Sequence, residues 1–286
     1  IANTYSRGVD IPIEIDDHVQ LSYKDSLIYV ITGWTSTIGG GNNTNAVQVY
    51  DAINDKWHIG TATPNSTVYK VFGASGTIVN DTIYYAGGAR SGSNFPLVTS
   101  LRKGVIDSGN PLNITWSSDT VFNFFKPYRA SCLNIENKVF WIGGSSISYN
   151  YNGLAYSNNS GVNPNNFITE FNNSTNKWEQ YSPTFFEVMD LRGIAQVEYN
   201  KFVICGGMFG NQQVTNNAFE FTYDTSFNSL TDVTNTIPIQ IQNSDILIVN
   251  KNVYIYTVKN KNVTGLELVD LFGRTVKQVL GNKINV

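Results

Sequence analysis

A sequence pattern typical of a β-hairpin, ending in small residues, occurs four times along this chain. This repeat constrains the fold more than any other feature. In the clearest copy, residues 127–144, two apolar runs flank the polar turn Glu136-Asn137-Lys138 and end at Gly143-Gly144. Apolar runs around a short polar turn predict a β-hairpin, and the glycine pair marks a place where larger side chains do not fit. Four copies of such a unit indicate a repeat protein.

The copies are in phase when they are aligned on the pair of small residues, which we call the landmark. The landmarks are Thr32-Gly33, Gly87-Gly88, Gly143-Gly144 and Gly206-Gly207. A polar, variable segment, the landmark loop, follows each landmark and leads to a third predicted strand. These third strands are predicted at 46–50, 101–106, 167–171 and 218–222, and a tryptophan follows three of them. Four short strands per copy predict one sheet per copy.

Composition excludes several classes of protein. Only 14% of the 286 residues are charged, 13% are aromatic and the net charge is −3, which fits a β-rich extracellular protein and gives no basic footprint for nucleic acid. No apolar stretch approaches the roughly 20 residues of a membrane span. Cys132 and Cys205 fall in predicted strands of different repeats, so we expect buried free thiols rather than a disulfide, and we expect neither a metal nor a cofactor.

Four apolar residues, a glycine pair, a loop, and then an aromatic residue followed by a tryptophan resemble the kelch repeat over residues 18–230. The resemblance implies an all-β fold, a kelch-type β-propeller in which each repeat is one blade, with four clear blades. Residues 1–236 are the predicted propeller domain. Large aromatic side chains such as Tyr84 and Trp141 are expected to pack against the neighbouring blade, and the tryptophans are expected to have a structural role.

Residues 237–286 form a second predicted domain. The run LELVDLFGRTV at 266–276 resembles the signature of the C-terminal sorting domain of the type IX secretion system of Bacteroidetes. The resemblance implies a small β-sandwich-like segment that the secretion machinery reads, and hence a location outside the cell or on its surface. A degenerate fifth blade is the alternative. We expect further residues at both ends, because sorting domains continue into another strand and no strand precedes the first blade.

Charged residues gather where the first strand of each repeat is predicted to begin. Counting back fourteen positions from each landmark gives His18, Gly73, Arg129 and Arg192. In a kelch blade this point lies near the mouth of the central channel. The predicted ligand-binding residues are Arg129, Arg192, His18, Lys70, Asp17, Glu187 and Asp190. Such a set suits an anionic or polyhydroxylated ligand, whereas the alternative for each arginine is an ion pair that ties blades together.

No nucleophile elbow or phosphate loop is present, and the chain has two histidines, so no catalytic residues are assigned. The favoured hypothesis is a monomeric module that binds glycans or proteins through its loop face and channel mouth. Aromatic residues beside the loops would stack on sugars or anchor the loops; examples are Trp34, Phe95, Tyr149, Tyr151 and Phe209. One alternative is a sugar-processing enzyme of the sialic acid mutarotase type, and another is a passive surface scaffold.

Overall fold

The computed structural model describes residues 6–37, 41–120, 126–181, 186–191, 193–224, 229–235, 266–269 and 275–279. These residues are all-β, with no α-helix among them and one 3₁₀ turn at Gly210–Gln212. The strands are β1 Val19–Tyr23, β2 Leu27–Ile31, β3 Trp34–Thr35, β4 Asn42–Asn43, β5 Val47–Asp51, β6 Lys56–Ile59, β7 Phe72–Val79, β8 Thr82–Ala89, β9 Ser100–Ile106, β10 Ile114–Thr120, β11 Ser131–Ile135, β12 Lys138–Ile142, β13 Ile168–Asn172, β14 Lys177–Tyr181, β15 Ala195–Glu198, β16 Lys201–Cys205, β17 Met208–Phe209, β18 Gln213–Val214, β19 Ala218–Asp224, β20 Ser229–Asn235, β21 Leu266–Val269 and β22 Thr275–Val279.

Each sequence repeat forms one antiparallel sheet of four strands. The strand orders are β1-β2-β5-β6, β7-β8-β9-β10, β11-β12-β13-β14 and β15-β16-β19-β20. Two short ribbons, β3-β4 and β17-β18, lie within landmark loops. This is the blade architecture of a β-propeller, so the predicted all-β propeller with four blades is confirmed. The predicted third strands are found as β5, β9, β13 and β19.

The chain divides into two compact units. The first comprises Ile1–Ile194 with Gly206–Asn216, and the second comprises Ala195–Cys205 with Asn217–Val286. The second unit holds the fourth sheet and the antiparallel pair β21-β22. The predicted boundary between residues 236 and 237 lies outside the described residues and stays a prediction, as does the C-terminal sandwich.

The sheets of the first unit pack face to face through aromatic and branched side chains. Tyr29 of the first sheet and Tyr85 of the second belong to one buried cluster. Between the second and third sheets, the ring of Tyr84 lies 6.0 Å from that of Phe171, and Trp178 packs 4.8 Å from Phe171. Contacts of this kind combine apolar burial with ring–ring attraction. The predicted role of these aromatic residues in packing between blades is therefore confirmed in this unit.

The first residue of the second and third landmarks is glycine because the following repeat crosses it closely. A Cβ atom on Gly87 would lie 1.8 Å from the Pro127 carbonyl oxygen, and one on Gly143 would lie 2.4 Å from the Val188 carbonyl oxygen. Both glycines also have a positive φ, of 69° and 66°. Positive φ and close backbone approach are the two conditions that favour glycine, which explains the sequence pattern.

Thr32 takes the place of the first glycine in the first repeat. It is fully buried with a φ of 50°, and its hydroxyl lies 2.9 Å from the carbonyl oxygens of Thr44 and Val71. The same hydroxyl accepts a hydrogen bond from the Val71 N–H at 3.0 Å. These hydrogen bonds hold a β-branched residue in a conformation that it rarely adopts.

Arg102 is a fully buried arginine in β9 that the sequence pattern did not single out. Its Nε donates to the Val68 carbonyl at 2.7 Å and its Nη1 donates to the Gly87 carbonyl at 2.8 Å. Burial lowers the pKa of its guanidinium to about 10. The side chain thus links the second landmark to the segment that precedes β7.

The N-terminal segment lies against the first sheet. The Gln48 side chain donates to the Ile13 carbonyl at 3.0 Å and accepts from the Ile13 N–H at 2.7 Å. The Trp57 indole donates to the Val9 carbonyl at 2.9 Å, and Asp55 accepts from the Val9 N–H at 3.0 Å. This segment therefore covers part of the face that the first sheet turns away from the second.

Candidate functional site

The first strands of the first unit begin at a chain of main-chain hydrogen bonds. The Gly73 N–H donates to the Asp17 carbonyl at 2.8 Å, the Arg129 N–H donates to the Gly73 carbonyl at 2.8 Å, and the Leu191 N–H donates to the Arg129 carbonyl at 2.9 Å. Asp17, Gly73 and Arg129 all have a positive φ, between 49° and 67°. Backbone geometry, rather than a shared side chain, makes these positions equivalent.

In two repeats, counting back fourteen positions from the landmark does not reach the residue that takes part in these hydrogen bonds. The count places Gly73 and Arg129 correctly, but it gives His18 and Arg192 where the hydrogen-bonded residues are Asp17 and Leu191. The first and fourth repeats each have one more residue between this point and the landmark. Side chains alternate along a strand, so a shift of one position changes which side chain faces the neighbouring repeat.

Arg129 lies in a buried ion cluster with two aspartates. Its Nε and Nη2 donate to Asp17 Oδ2 at 3.1 and 2.5 Å, and its Nη1 donates to Asp190 Oδ1 at 3.1 Å. The Arg129 and Asp17 side chains are only 6% and 4% exposed. Two carboxylates therefore surround this guanidinium, as expected for an arginine that ties repeats together.

Two tyrosine rings complete the surroundings of Arg129. The carbon at the centre of its guanidinium lies 5.2 Å from the centre of the Tyr128 ring and 5.1 Å from that of Tyr149. Burial disfavours the charge of Arg129, but Tyr128 and Asp17 outweigh this effect and raise the pKa of its guanidinium above the ordinary value. The arginine is thus held as a permanent cation inside the fold.

The remaining predicted ligand-binding residues lie outside this cluster. His18 lines the cavity described next, and its buried Nδ1 has no hydrogen-bond partner in the described part of the chain. The Lys70 ammonium donates to Asn65 Oδ1 at 3.1 Å, and Glu187 is exposed. Arg192 lies outside the described residues. The structure therefore brings Asp17, Arg129 and Asp190 together, and His18 follows Asp17 in the sequence.

A cavity of about 140 Å³ lies between the starts of the first strands. Its lining consists of residues 17–20, 73–76 and 129–132 with Leu191, Gly193 and Ile194. Pockets for drug-sized ligands are typically about 300–1,000 Å³. The cavity is therefore large enough for a few waters or one small polar molecule, and too small to enclose an oligosaccharide.

The four landmark loops converge on a cluster of aromatic and methionine side chains, here called the loop anchor. Its members are Trp34, Phe72, Phe95, Tyr128, Tyr149, Tyr156, Met189 and Met208. The rings meet edge to face or tilted, for example Tyr128 and Tyr149 at 5.1 Å and Phe95 and Tyr156 at 4.6 Å. Every landmark loop contributes at least one member. Trp34, Phe95 and Tyr149 thus anchor loops, which was one of the two roles considered for them.

The two cysteines differ in their surroundings. Both cysteines are free thiols, as predicted, but Cys205 is exposed, so the prediction that it is buried is wrong. Burial raises the pKa of the Cys132 thiol well above its usual value. Within the described ranges, no group of three or more histidine, cysteine or carboxylate side chains is arranged to hold a metal ion. The same ranges contain no helix with the length and apolar character that a membrane crossing requires.

Comparison with known proteins supports the fold. No family model matches the sequence, and no curated protein matches it. Among solved structures, that of YjhT matches with a TM-score of 0.50 at 14% sequence identity, covering 77% of this chain and 83% of YjhT. At this identity the likeness is one of fold, and it agrees with the propeller architecture found here.

Proposed function

We propose that this protein is a secreted or cell-surface propeller of the kelch type that binds a glycan or a protein through its landmark loops. One observation carries the proposal: the loop anchor joins all four landmark loops beneath their exposed residues. A surface whose loops are already fixed loses less conformational entropy when a partner binds. Loops on a rigid scaffold are also where proteins commonly place binding residues.

The ion cluster has a supporting role in this proposal. Arg129 is compensated by two carboxylates, so it stabilises the base of the loops and leaves recognition to the surface above. The cavity lined by Asp17, His18 and Arg129 is retained as a second contact region for a small part of a ligand. Lys70, Glu187, Asp190 and Arg192 stay proposed ligand-binding residues. The proposed export route is the type IX sorting signature at 266–276.

The test is a ligand screen followed by substitutions on the loop surface. The full chain is screened on a glycan array and used to capture proteins from cell-surface extracts. Ile147 and Val214 are exposed residues of two landmark loops, and a double substitution of both by aspartate is expected to abolish binding. Ile53→Asp changes an isoleucine in the β5-β6 turn that is 78% exposed, compared with 50% for Ile147 and 80% for Val214, and serves as the control. Loss of binding in the control alone, or no ligand in either screen, would reject the proposal.

A sugar-processing enzyme of the mutarotase type is the second candidate. The observation that favours it is the unpartnered Nδ1 of His18 beside a cavity that Asp17 and Arg129 also line. Ring opening of a sugar needs a positioned acid and base, and histidine is the commonest residue in that role. Saturation-transfer NMR measures the exchange of sugar anomers directly. Unchanged exchange rates in His18→Gln and Arg192→Ala would exclude this candidate.

A further inference from the structure

The landmark loops are almost free of charge, although the chain as a whole is not. Across residues 34–46, 89–99, 145–167 and 208–217, Arg90 is the one charged residue in the sequence, whereas 14% of the whole chain is charged. The longest of these loops, residues 145–167, consists mainly of asparagine, serine, tyrosine and glycine. A surface that selects ions needs opposite charge, and this one offers amides and hydroxyls instead.

Tyr151 stands out within the longest landmark loop. It is 78% exposed, whereas Tyr149, two residues earlier, is fully buried in the loop anchor. A tight turn fixes the tip: the Gly153 N–H donates to the Asn150 carbonyl at 2.9 Å, and the Tyr151 N–H donates to Asn150 Oδ1 at 2.8 Å. The Tyr151 ring is therefore held outside the fold by an anchored turn, with asparagine on both sides of it in sequence.

The turn that carries Tyr151 packs directly on a second landmark loop. A Cβ atom on Gly153 would lie 2.7 Å from Gln212 Cγ and 2.8 Å from Met208 Sδ, and one on Gly161 would lie 2.5 Å from Gln212 Nε2. Gln212 thus fits between two glycines of the longer loop. The two loops form one continuous surface, with the exposed side chains of Asn211 and Gln213 on either side of Gln212 in sequence.

We propose that this surface binds a neutral oligosaccharide, with a sugar ring stacked on Tyr151 and its hydroxyls hydrogen-bonded to the surrounding amides. An amide both donates and accepts, and so matches a hydroxyl, which also does both. A tyrosine offers a flat apolar face at low conformational cost. The two loops that form this surface, residues 145–167 and 208–217, contain no charged residue that could pair with a sialylated or sulfated sugar. Arg129 is buried and already paired with Asp17 and Asp190.

This inference rests on the proposed function, and its experiment separates the two. The full chain is tested on an array that carries neutral glucans, mannans, xylans and galactans beside sialylated, sulfated and uronic acid glycans, and also against captured cell-surface proteins. The strongest neutral glycan is then titrated by calorimetry between about 0.05 and 0.5 M NaCl. We expect little change in affinity over this range, since salt screens charges and leaves stacking intact.

Three variants measure how much the Tyr151 ring contributes to binding. Tyr151→Ala is expected to weaken binding by about tenfold or more, as for an exposed aromatic anchor, while Tyr151→Phe keeps most of the affinity. Tyr199→Ala removes an exposed tyrosine from the β15-β16 turn and should bind like the unaltered protein. Circular dichroism checks that all three variants are folded.

The remaining outcomes would contradict either the neutral-oligosaccharide assignment or the proposed function itself. If only anionic glycans or only proteins bind, or if Tyr151→Ala binds as well as the unaltered protein, the neutral-oligosaccharide assignment is wrong and the binding module stands. If nothing binds in any arm, the proposed function itself is wrong.

Discussion

At the scale of single residues, the structure explains why a few positions break ordinary preferences. Thr32 and Arg129 both have a positive φ although neither is glycine, asparagine or aspartate. A left-handed conformation costs such residues roughly 1–2 kcal/mol, so their contacts must offset this cost. For Thr32 these are hydrogen bonds to the next repeat, and for Arg129 they are two carboxylates.

Removing the Thr32 hydroxyl tests its contribution to stability. Thr32→Val keeps the β-branched shape and the strain but leaves the buried Val71 N–H without its acceptor. We expect a loss of about 1–3 kcal/mol in the free energy of unfolding, measured by urea denaturation. Thr67→Val, which changes an exposed threonine, should lie within about 0.5 kcal/mol of the unaltered protein. Equal stabilities of the two variants would contradict the hydrogen-bonding role of Thr32.

The pH dependence of the N-terminal segment follows from Asp55. Hydrogen bonds from the Tyr50 hydroxyl at 2.6 Å and the Val9 N–H lower the pKa of its carboxyl below the ordinary 3.8. A lowered pKa means that the carboxylate stabilises the folded contact above pH 3.8 and that this effect is lost as the pH falls through the folded-state pKa. The Val9 amide signal in NMR should therefore titrate with a midpoint below 3.8. Asp55→Asn should abolish that titration, and a midpoint above 3.8 would contradict the contact.

At the scale of elements, the repeated hairpin could be predicted because both of its causes are local. Alternating apolar residues and a polar turn define the strands. The glycine pair marks the place where another segment of backbone passes closely. The third strands β5 and β13 lie one residue from their predicted positions. The loop anchor could not be predicted in the same way, because irregular loops have no periodicity that would show which aromatic residues point inward.

Substitution of a landmark glycine tests how closely the backbone of the following repeat passes it. In Gly87→Ala the added carbon overlaps the Pro127 carbonyl and the backbone has a φ of 69°. We expect a loss of about 3 kcal/mol or more in stability, measured by thermal or urea unfolding. Gly193→Ala is the matched control, since a carbon added there meets no atom within 4 Å. A small effect at Gly87 would mean that the crossing backbone adapts easily.

At the scale of the molecule, contacts between residues far apart in sequence hold the repeats together. Arg129 and Asp17 are separated by 112 positions, and Arg129 and Asp190 by 61. A single sequence shows the charges but not which of them meet, because one extra residue in the first and fourth repeats displaces the register. For this reason seven candidate residues could be named from the sequence, whereas the trio of Asp17, Arg129 and Asp190 required the fold.

Removing Arg129 alone should lower the stability of the protein more than replacing Asp17, Arg129 and Asp190 together. Arg129→Met removes the cation that faces the buried Asp17 carboxylate and the partly exposed Asp190 carboxylate, so we expect a loss of about 3–5 kcal/mol in the free energy of unfolding. Adding Asp17→Asn and Asp190→Asn to this variant removes two negative charges that had faced the guanidinium, and it should recover part of the loss. Urea unfolding of the single and triple variants measures both effects. A triple variant less stable than the single one would show that the carboxylates have partners that matter more than Arg129.

The hydrogen bonds that join Asp17, Gly73, Arg129 and Leu191 use only main-chain atoms. An acidic residue, a glycine, a basic residue and an aliphatic residue all take part in these main-chain hydrogen bonds. Mutation can therefore change the side chains at these positions while the hydrogen bonds between one repeat and the next are kept. Scaffolds of this kind separate the parts that must be kept from those that are free to diverge. A propeller built in this way can acquire a new ligand by changing side chains on a frame that stays the same.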